Sequence, residues 1–233
     1  MKIETSVKEI ISRTIDVSSF RFSRPSGFTY KPGQYMLVTI RKDDKELIHP
    51  FSFSSSPTEE GYIEFTKKFT ANEYSIALKT LKPGDWARID APYGQFTFEG
   101  EYPKIALLTG GIGITPFRSI VKYCTDIQLN TDIVLAYGCR SPSDIAFRNE
   151  FEQMQAKNKN LHVVFTVNEP NGDWKGPVGN ITADFVKKNM PDYKERMFFA
   201  CGPPGMVQAM INLVKELGVP ETQLKLESFA GHT

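Results

Sequence analysis

The chain of 233 residues predicts two domains, an antiparallel β-barrel followed by a doubly wound α/β domain. Three observations predict it. The first hundred residues are short aromatic and β-branched runs cut by turn dipeptides. From Pro103 onward, apolar strand-like runs alternate with helical stretches, the rhythm of a parallel sheet covered by helices. At 107–117 the run Leu-Leu-Thr-Gly-Gly-Ile-Gly-Ile-Thr-Pro-Phe breaks an apolar strand into a glycine-rich turn and opens a helix.

In the first half, strands are expected at 34–40, 51–55, 61–67 and 86–90, separated by Pro32-Gly33, Glu60-Gly61 and Pro83-Gly84. One helix interrupts them over 72–81, with Ile76, Ala77, Leu78 and Leu81 at helical spacing. Many short antiparallel strands with one helix describe a small barrel. In the second half, strands are expected at 104–109, 132–138, 161–167, 196–200 and 224–226. Helices are expected near 115–125, 144–157, 181–189 and 204–217. The polar segment 98–103, carrying Gly100 and Pro103, lies where the rhythm switches, so the domains are read as 1–100 and 101–233.

Lys+Arg 28 against Asp+Glu 27 leaves a net charge of +1, which gives no basic footprint for nucleic acid or an anionic membrane. Cys124, Cys139 and Cys201 are widely spaced and match no disulfide, zinc or iron–sulfur pattern, so no metal is expected. The N-terminus has no apolar signal core, and no uncharged run reaches membrane-spanning length. These features predict a soluble, cytoplasmic protein.

In the glycine-rich turn, Gly110, Gly111 and Gly113 let backbone N–H groups approach a ligand, and the following helix start adds partial positive charge. Thr115 reads as the helix N-cap and Pro116 as its first residue. The turn suits a diphosphate, and a bulky residue at Gly113 is expected to block a nucleotide.

Six motifs in order make the chain resemble the ferredoxin–NADP reductase superfamily. They are Pro32-Gly-Gln-Tyr35, His49-Pro-Phe-Ser-Phe-Ser-Ser55, Ala91-Pro-Tyr-Gly-Gln-Phe96, Gly110-Gly-Ile-Gly-Ile-Thr-Pro116, the pair Tyr137-Gly-Cys-Arg140 and Cys201-Gly-Pro-Pro-Gly-Met-Val207, and Glu227-Ser-Phe-Ala-Gly-His232. Most relatives in the superfamily begin this motif with Arg and carry Tyr at the position of Phe51; the His-Pro-Phe-Ser form resembles instead the flavin strand of the ferric reductase and NADPH oxidase branch.

The resemblance implies FAD and NAD(P)H as cofactors, with FAD favoured over FMN by the segment at 72–75. It implies that His49, Pro50, Phe51 and Ser52 meet the flavin, Phe51 offering a ring face and Ser52 a hydrogen bond near N5. Lys67, Asn72 and Ser75 would meet the flavin diphosphate. Gly110, Gly111, Gly113 and Thr115 would take the pyridine-nucleotide diphosphate, with Cys201, Gly202 and Pro203 near the nicotinamide. Glu227 would lie beside the hydride path, with Phe229 and His232 shielding the ring. Arg140 favours a 2′-phosphate, whereas Glu169, after the third strand of the second half, repels one; the balance leans to NADH.

The implied activity is hydride transfer from nicotinamide to flavin N5. Electrons then pass to an external acceptor: a ferredoxin, a partner subunit, a monooxygenase component or a small oxidant. Two other readings stay open. One is an electron-transfer subunit of a larger complex; the type accompanying dihydroorotate dehydrogenase normally carries a C-terminal cysteine cluster, which this chain lacks. The other is a non-catalytic nucleotide-binding module that has lost its flavin.

Overall fold

The computed structural model describes residues 1–43 and 45–229. It divides into two compact units. One holds Met1–Glu99 with Thr115–Tyr123; among the described residues the other holds Gly100–Ile114 and 124–229.

The first unit is a six-stranded antiparallel sheet. Its strands are β1 (Lys2–Thr14), β2 (Val17–Ser23), β3 (Tyr35–Lys42), β4 (Lys45–Ser52), β5 (Tyr62–Lys68) and β6 (Trp86–Tyr93). Their order is β4-β3-β6-β1-β2-β5. β1 and β2 were not anticipated. β1 is rich in Lys and Glu and buries Ile3 and Val7 alone among its residues, so its alternation is faint. β4 begins six residues before the expected start at 51. Pro50 sits inside it, opposite Leu37. That is tolerable because β4 is an edge strand and needs no outward N–H.

The two edge strands, β4 and β5, meet just beyond the end of β4. Phe53 bridges Phe65, and the Ser54 N–H donates to the Glu64 carbonyl at 2.8 Å. No further ladder pair joins these strands among the described residues. The sheet therefore closes as a barrel with a seam that is stitched at one end. Helix α1 (Glu73–Leu78) packs against β3 and β4, and its Tyr74 hydroxyl donates to the Val38 carbonyl at 2.9 Å. α1 is shorter than the expected 72–81: Asn72 caps it by accepting from the Ser75 N–H, and it ends at Lys79.

The barrel interior is aromatic. Phe65 stacks on Phe20 at 5.1 Å and on Phe51 at 4.3 Å, and Phe53 stacks on Tyr30 at 4.0 Å. Each fully buried ring contributes roughly 1.5–3 kcal/mol. Glu64 is fully buried, accepting from Arg13, Arg21 and the Ser54 hydroxyl, so two guanidinium groups compensate one carboxylate.

Residues 115–123 of helix α2 (Ile114–Asp126) also belong to this unit. Arg118, 3% exposed, donates to both Glu59 oxygens at 2.7 and 3.1 Å and to the Ser54 carbonyl at 2.6 Å. The Ser119 hydroxyl donates to the Ser55 carbonyl. Burial alone would raise the Glu59 carboxyl, but Arg118, the Tyr62 hydroxyl and the Ser56 N–H outweigh it and hold the group down at about 2.

The second unit is a five-stranded parallel sheet of β7 (Lys104–Gly110), β8 (Asp132–Cys139), β9 (Leu161–Val167), β10 (Met197–Gly202) and β11 (Leu224–Ser228), in the order β11-β10-β7-β8-β9. Helices α3 (Arg148–Lys157), α4 (Ala183–Asn189) and α5 (Pro204–Glu216) connect the strands. α3 starts four residues later than expected because Pro142–Asp144 forms a 3-10 turn and Phe147 takes a left-handed φ of 61°. Chain order runs outward from β7 first to β8 and β9, then to β10 and β11, so β7 and β10 flank the switch point where α/β sheets open toward ligands. Among the described residues, no helix is long and apolar enough to cross a membrane.

Arg118→Met leaves Glu59 buried without its cation, an expected loss of about 3–5 kcal/mol, or roughly 6–20 °C in Tm. Because the Glu59 carboxyl is lowered by folding, its stabilisation is present above the ordinary carboxylate range and disappears as pH falls toward about 2. An R118M variant with the Tm and acid-unfolding profile of the wild type contradicts this role.

Candidate functional site

The barrel seam gathers a distinctive set of groups. On β4, the His49 ring lies near-parallel to Phe51 at 4.9 Å, and Phe51 in turn stacks on Phe65 of β5. Tyr74 of α1 approaches both rings, at 5.4 and 5.5 Å. Lys67 of β5 is 1% exposed, and burial lowers its ammonium. His49 is lowered from its ordinary value by burial and by the Lys67 charge, against a raising hydrogen bond to the Pro50 carbonyl. Pro50 itself is exposed.

Ser52 alternates with Phe51 and so faces away from the barrel core. It is 6% exposed, and its hydroxyl has no hydrogen-bond partner among the described residues. It stands opposite Tyr35, whose ring stacks on Tyr93 at 5.7 Å. The sequence motifs contained both tyrosines, but nothing local marked them as neighbours of Ser52; strand register makes them so.

Three expected roles change. Phe51 is 5% exposed, with His49 and Phe65 stacked on its ring, so it is a core element of the seam rather than an open platform. The Asn72 carboxamide caps α1, and the Ser75 hydroxyl is engaged by the Thr70 N–H and hydroxyl. Both side chains serve the turn itself.

The seam nonetheless fits an FAD. A buried ammonium and an adjacent imidazole are the groups a diphosphate requires. A buried hydroxyl with capacity to spare, beside two stacked phenols, suits the edge and face of a flat heterocycle.

In the second unit, Gly110 ends β7, and residues Gly111–Gly113 form a 3-10 turn that runs into α2. α2 begins at Ile114, so Thr115 and Pro116 lie inside its first turn and are not its cap and first residue. Gly111 has φ +53° and open space where a side chain would stand. Gly113 differs. A Cβ there would lie 2.7 Å from Thr109 Oγ1 and 2.8 Å from Gly202 Cα, and would collide with the Cys201 carbonyl. Gly113 is glycine because β10 passes against it, which corrects the expectation that it holds space for a nucleotide. Thr109, which the sequence reading passed over, donates to the same Cys201 carbonyl at 2.9 Å.

The end of β10 lines the other side of the switch point. Gly202 has φ +154°, and a Cβ there would lie 2.7 Å from Met206 Sδ; Pro203 is exposed just before α5. Cys201 is fully buried, 3.9 Å from the Glu227 carboxylate, and burial followed by the Glu227 charge pushes its thiol well up. β11 sets this pair by aligning Cys201 with Glu227, and the Phe229 N–H donates to the Gly202 carbonyl at 3.0 Å. His232 lies outside the described residues.

At the end of β8, Arg140 is exposed and pairs with Asp144 at 3.4 Å. Asp144 also accepts from the Ser141 N–H and hydroxyl. The Ser141-Pro-Ser-Asp144 spacing is a capping box legible in the sequence but not assigned there. The Glu169 N–H donates to the Arg140 carbonyl at 2.7 Å. Two acidic residues thus accompany the one arginine.

Residues 2–98 match the oxidoreductase FAD-binding domain family, and residues 107–211 match the oxidoreductase NAD-binding domain family. By these matches the chain combines an FAD-binding oxidoreductase domain with an NAD-binding one. It is 30% identical over 230 residues to the glycine betaine monooxygenase reductase subunit of Chromohalobacter salexigens, covering 95% of this chain and 62% of that one. It is 28% identical to NADH-cytochrome b5 reductase 2 of Mycosarcoma maydis, covering 89% and 63%. The chain thus spans less than two thirds of these curated relatives. In fold it is similar to a ferredoxin NADP+ reductase from Neisseria gonorrhoeae with bound FAD and NADP (TM-score 0.84, 18% identity, 97% and 98% covered). It is also similar to the cytochrome b5 reductase domain of Ulva prolifera nitrate reductase (TM-score 0.85, 22% identity, 97% of each chain covered).

Gly113→Val is expected to destabilise the second unit, lowering Tm or solubility, whereas Gly111→Ala costs only about 1–2 kcal/mol of left-handed backbone strain and weakens nucleotide binding in a folded protein. A folded G113V variant with selective loss of nucleotide affinity contradicts the packing assignment; circular dichroism melts with nucleotide titrations decide.

Proposed function

We propose that this protein is an FAD-dependent reductase that oxidises NADH and passes the electrons to a separate acceptor, an oxygenase component, a ferredoxin or a small oxidant. The FAD-binding part is assigned to 1–100 and the nucleotide-binding part to 101–233. The observation that carries the reading is one chain holding both a barrel seam with a buried lysine beside a histidine and a glycine turn at the switch point of a parallel sheet. The names of the relatives, reductase subunits and cytochrome b5 reductases, support an external acceptor.

When bound, FAD supplies two-electron acceptance from a reduced nicotinamide and one- or two-electron release. The chain supplies the rest. Lys67 and His49 neutralise the flavin diphosphate, in a strand of the His-Pro-Phe-Ser type. The Ser52 hydroxyl donates at the ring edge. Pro50, Asn72 and Ser75 shape the rim of the seam, and Phe51 stiffens it from below. Gly110, Gly111 and the first turn of α2, including Thr115, meet the nucleotide diphosphate. Gly202 and Pro203 bound the nicotinamide position, and Phe229 follows as cover. Cys201 stays a neutral thiol beside Glu227, because burial and that carboxylate oppose its ionisation.

NADH over NADPH is supported by the end of β8, where Asp144 already engages Arg140 and Glu169 follows close by. A 2′-phosphate would meet two carboxylates for one cation, whereas a 2′-hydroxyl could donate to either. A cytoplasmic location is proposed with this activity, in accord with the lack of a membrane-spanning helix among the described residues.

The purified protein supplied with FAD is expected to turn yellow and to bleach anaerobically on NADH addition, with kcat/KM for NADH above that for NADPH. A protein that stays colourless and takes up no FAD contradicts the reading, and a kcat/KM well in favour of NADPH contradicts the cofactor choice. His49→Ala is expected to weaken FAD retention, measured by fluorescence release; unchanged affinity places the diphosphate elsewhere.

A further inference from the structure

We propose that FAD binding to this protein takes up a proton, on His49. The inference rests on the flavin reading above and concerns how the seam holds the diphosphate. His49 Nδ1 lies 2.9 Å from the Pro50 carbonyl oxygen. A carbonyl can only accept, so Nδ1 carries the hydrogen and donates it. In the neutral ring that arrangement leaves a lone pair at Nε2. A phosphate oxygen approaching Nε2 then meets lone pair against lone pair. Only the imidazolium donates from both nitrogens at once, keeping the Pro50 bond while offering Nε2–H to the phosphate.

The surroundings favour the neutral ring until an anion arrives. Among the described residues, the groups packed against His49 include Phe51 on its own strand, Tyr74 from α1 and the Lys67 charge from β5. The Tyr74 phenol is itself kept protonated by burial, so it contributes no negative charge. Partial burial of the ring disfavours its cationic form, and Lys67, which opposes a second positive charge next to it, acts in the same direction. A diphosphate reverses this balance. It brings two negative charges, of which Lys67 neutralises one, and the remaining charge stabilises the imidazolium. The proton comes from solvent or buffer, and no bond other than N–H forms.

The sign follows from linkage. A group whose basicity rises on binding takes up a proton in the window between its two values. In that window FAD affinity falls as pH rises, by about tenfold per pH unit for one proton. Below the window the ring is protonated in both states, and affinity is flat. An arginine in place of His49 is always charged and removes the coupling.

The test is isothermal calorimetry of FAD binding to the apoprotein in two buffers of different ionisation enthalpy, across about pH 5.5–8.5. Three proteins are compared: wild type, His49→Arg and His49→Gln. The wild type is expected to take up close to one proton per FAD on the basic side, with Kd rising with pH. His49→Arg is expected to bind without uptake and without pH dependence; His49→Gln is expected to bind more weakly and also without uptake. Wild-type binding with no buffer dependence and a flat Kd overturns the proposal while leaving the flavin reading standing. Uptake that persists in His49→Gln also overturns it by assigning the proton to another group. No FAD binding by any of the three at any pH overturns the flavin reading and the coupling together.

Discussion

The constraint on which the first unit depends is the incomplete closure of its barrel. Six strands curl until β4 and β5 touch at Phe53 and Phe65, and beyond that contact their edges are not laddered together. An unladdered edge exposes backbone polar groups, so a seam of this kind must be lined by something else. Here the lining is an aromatic stack from His49 through Phe51 to Phe65, with Tyr74 tying α1 across to β3. The same opening lets Lys67 and His49, two groups that oppose each other's charge, lie side by side. Such a pair is costly in isolation and becomes favourable with an anion between them.

A comparable logic governs the second unit. Its switch point is held by backbone against backbone: Gly113 has no side chain because the Cys201 carbonyl and Gly202 occupy that space, and Thr109 fastens the same carbonyl. The contact leaves Gly111 turned to open space at the neighbouring position. β11 then brings Glu227 to Cys201, so burial first and that carboxylate second keep the thiol neutral. The glycine-rich turn thus holds two kinds of glycine, one packed against β10 and one facing open space.

The parallel half of the fold was readable because its inner strands carry apolar runs, Ile105–Leu108 in β7 and Ile133–Tyr137 in β8, and β9 falls on its expected residues. The barrel was only partly readable. β1 and β2 lack strong alternation, since β1 is flanked on both sides and spends its length in polar, half-exposed pairing. Among the site residues, local signals identified the motifs but not the direction of individual groups. Phe51 reads the same whether it faces a ligand or stacks on Phe65, because the choice is made by β5, far along the chain. Gly113 reads the same whether it clears space for a phosphate or for a carbonyl of β10. Asn72 is a good capping residue and caps, while the Ser75 hydroxyl holds Thr70 just before the helix. What sequence could not supply in each case was the identity of the neighbour across a tertiary contact.

A crystal structure of the FAD complex is the most direct measurement of the central claim, that the β4–β5 seam is the flavin diphosphate site. The account predicts diphosphate oxygens within hydrogen-bond distance of Lys67 Nζ and His49 Nε2, with the Ser52 hydroxyl at the ring edge. An FAD bound with its diphosphate remote from β4 and β5, the seam still closed by Tyr74 against His49 and Phe51, would contradict it.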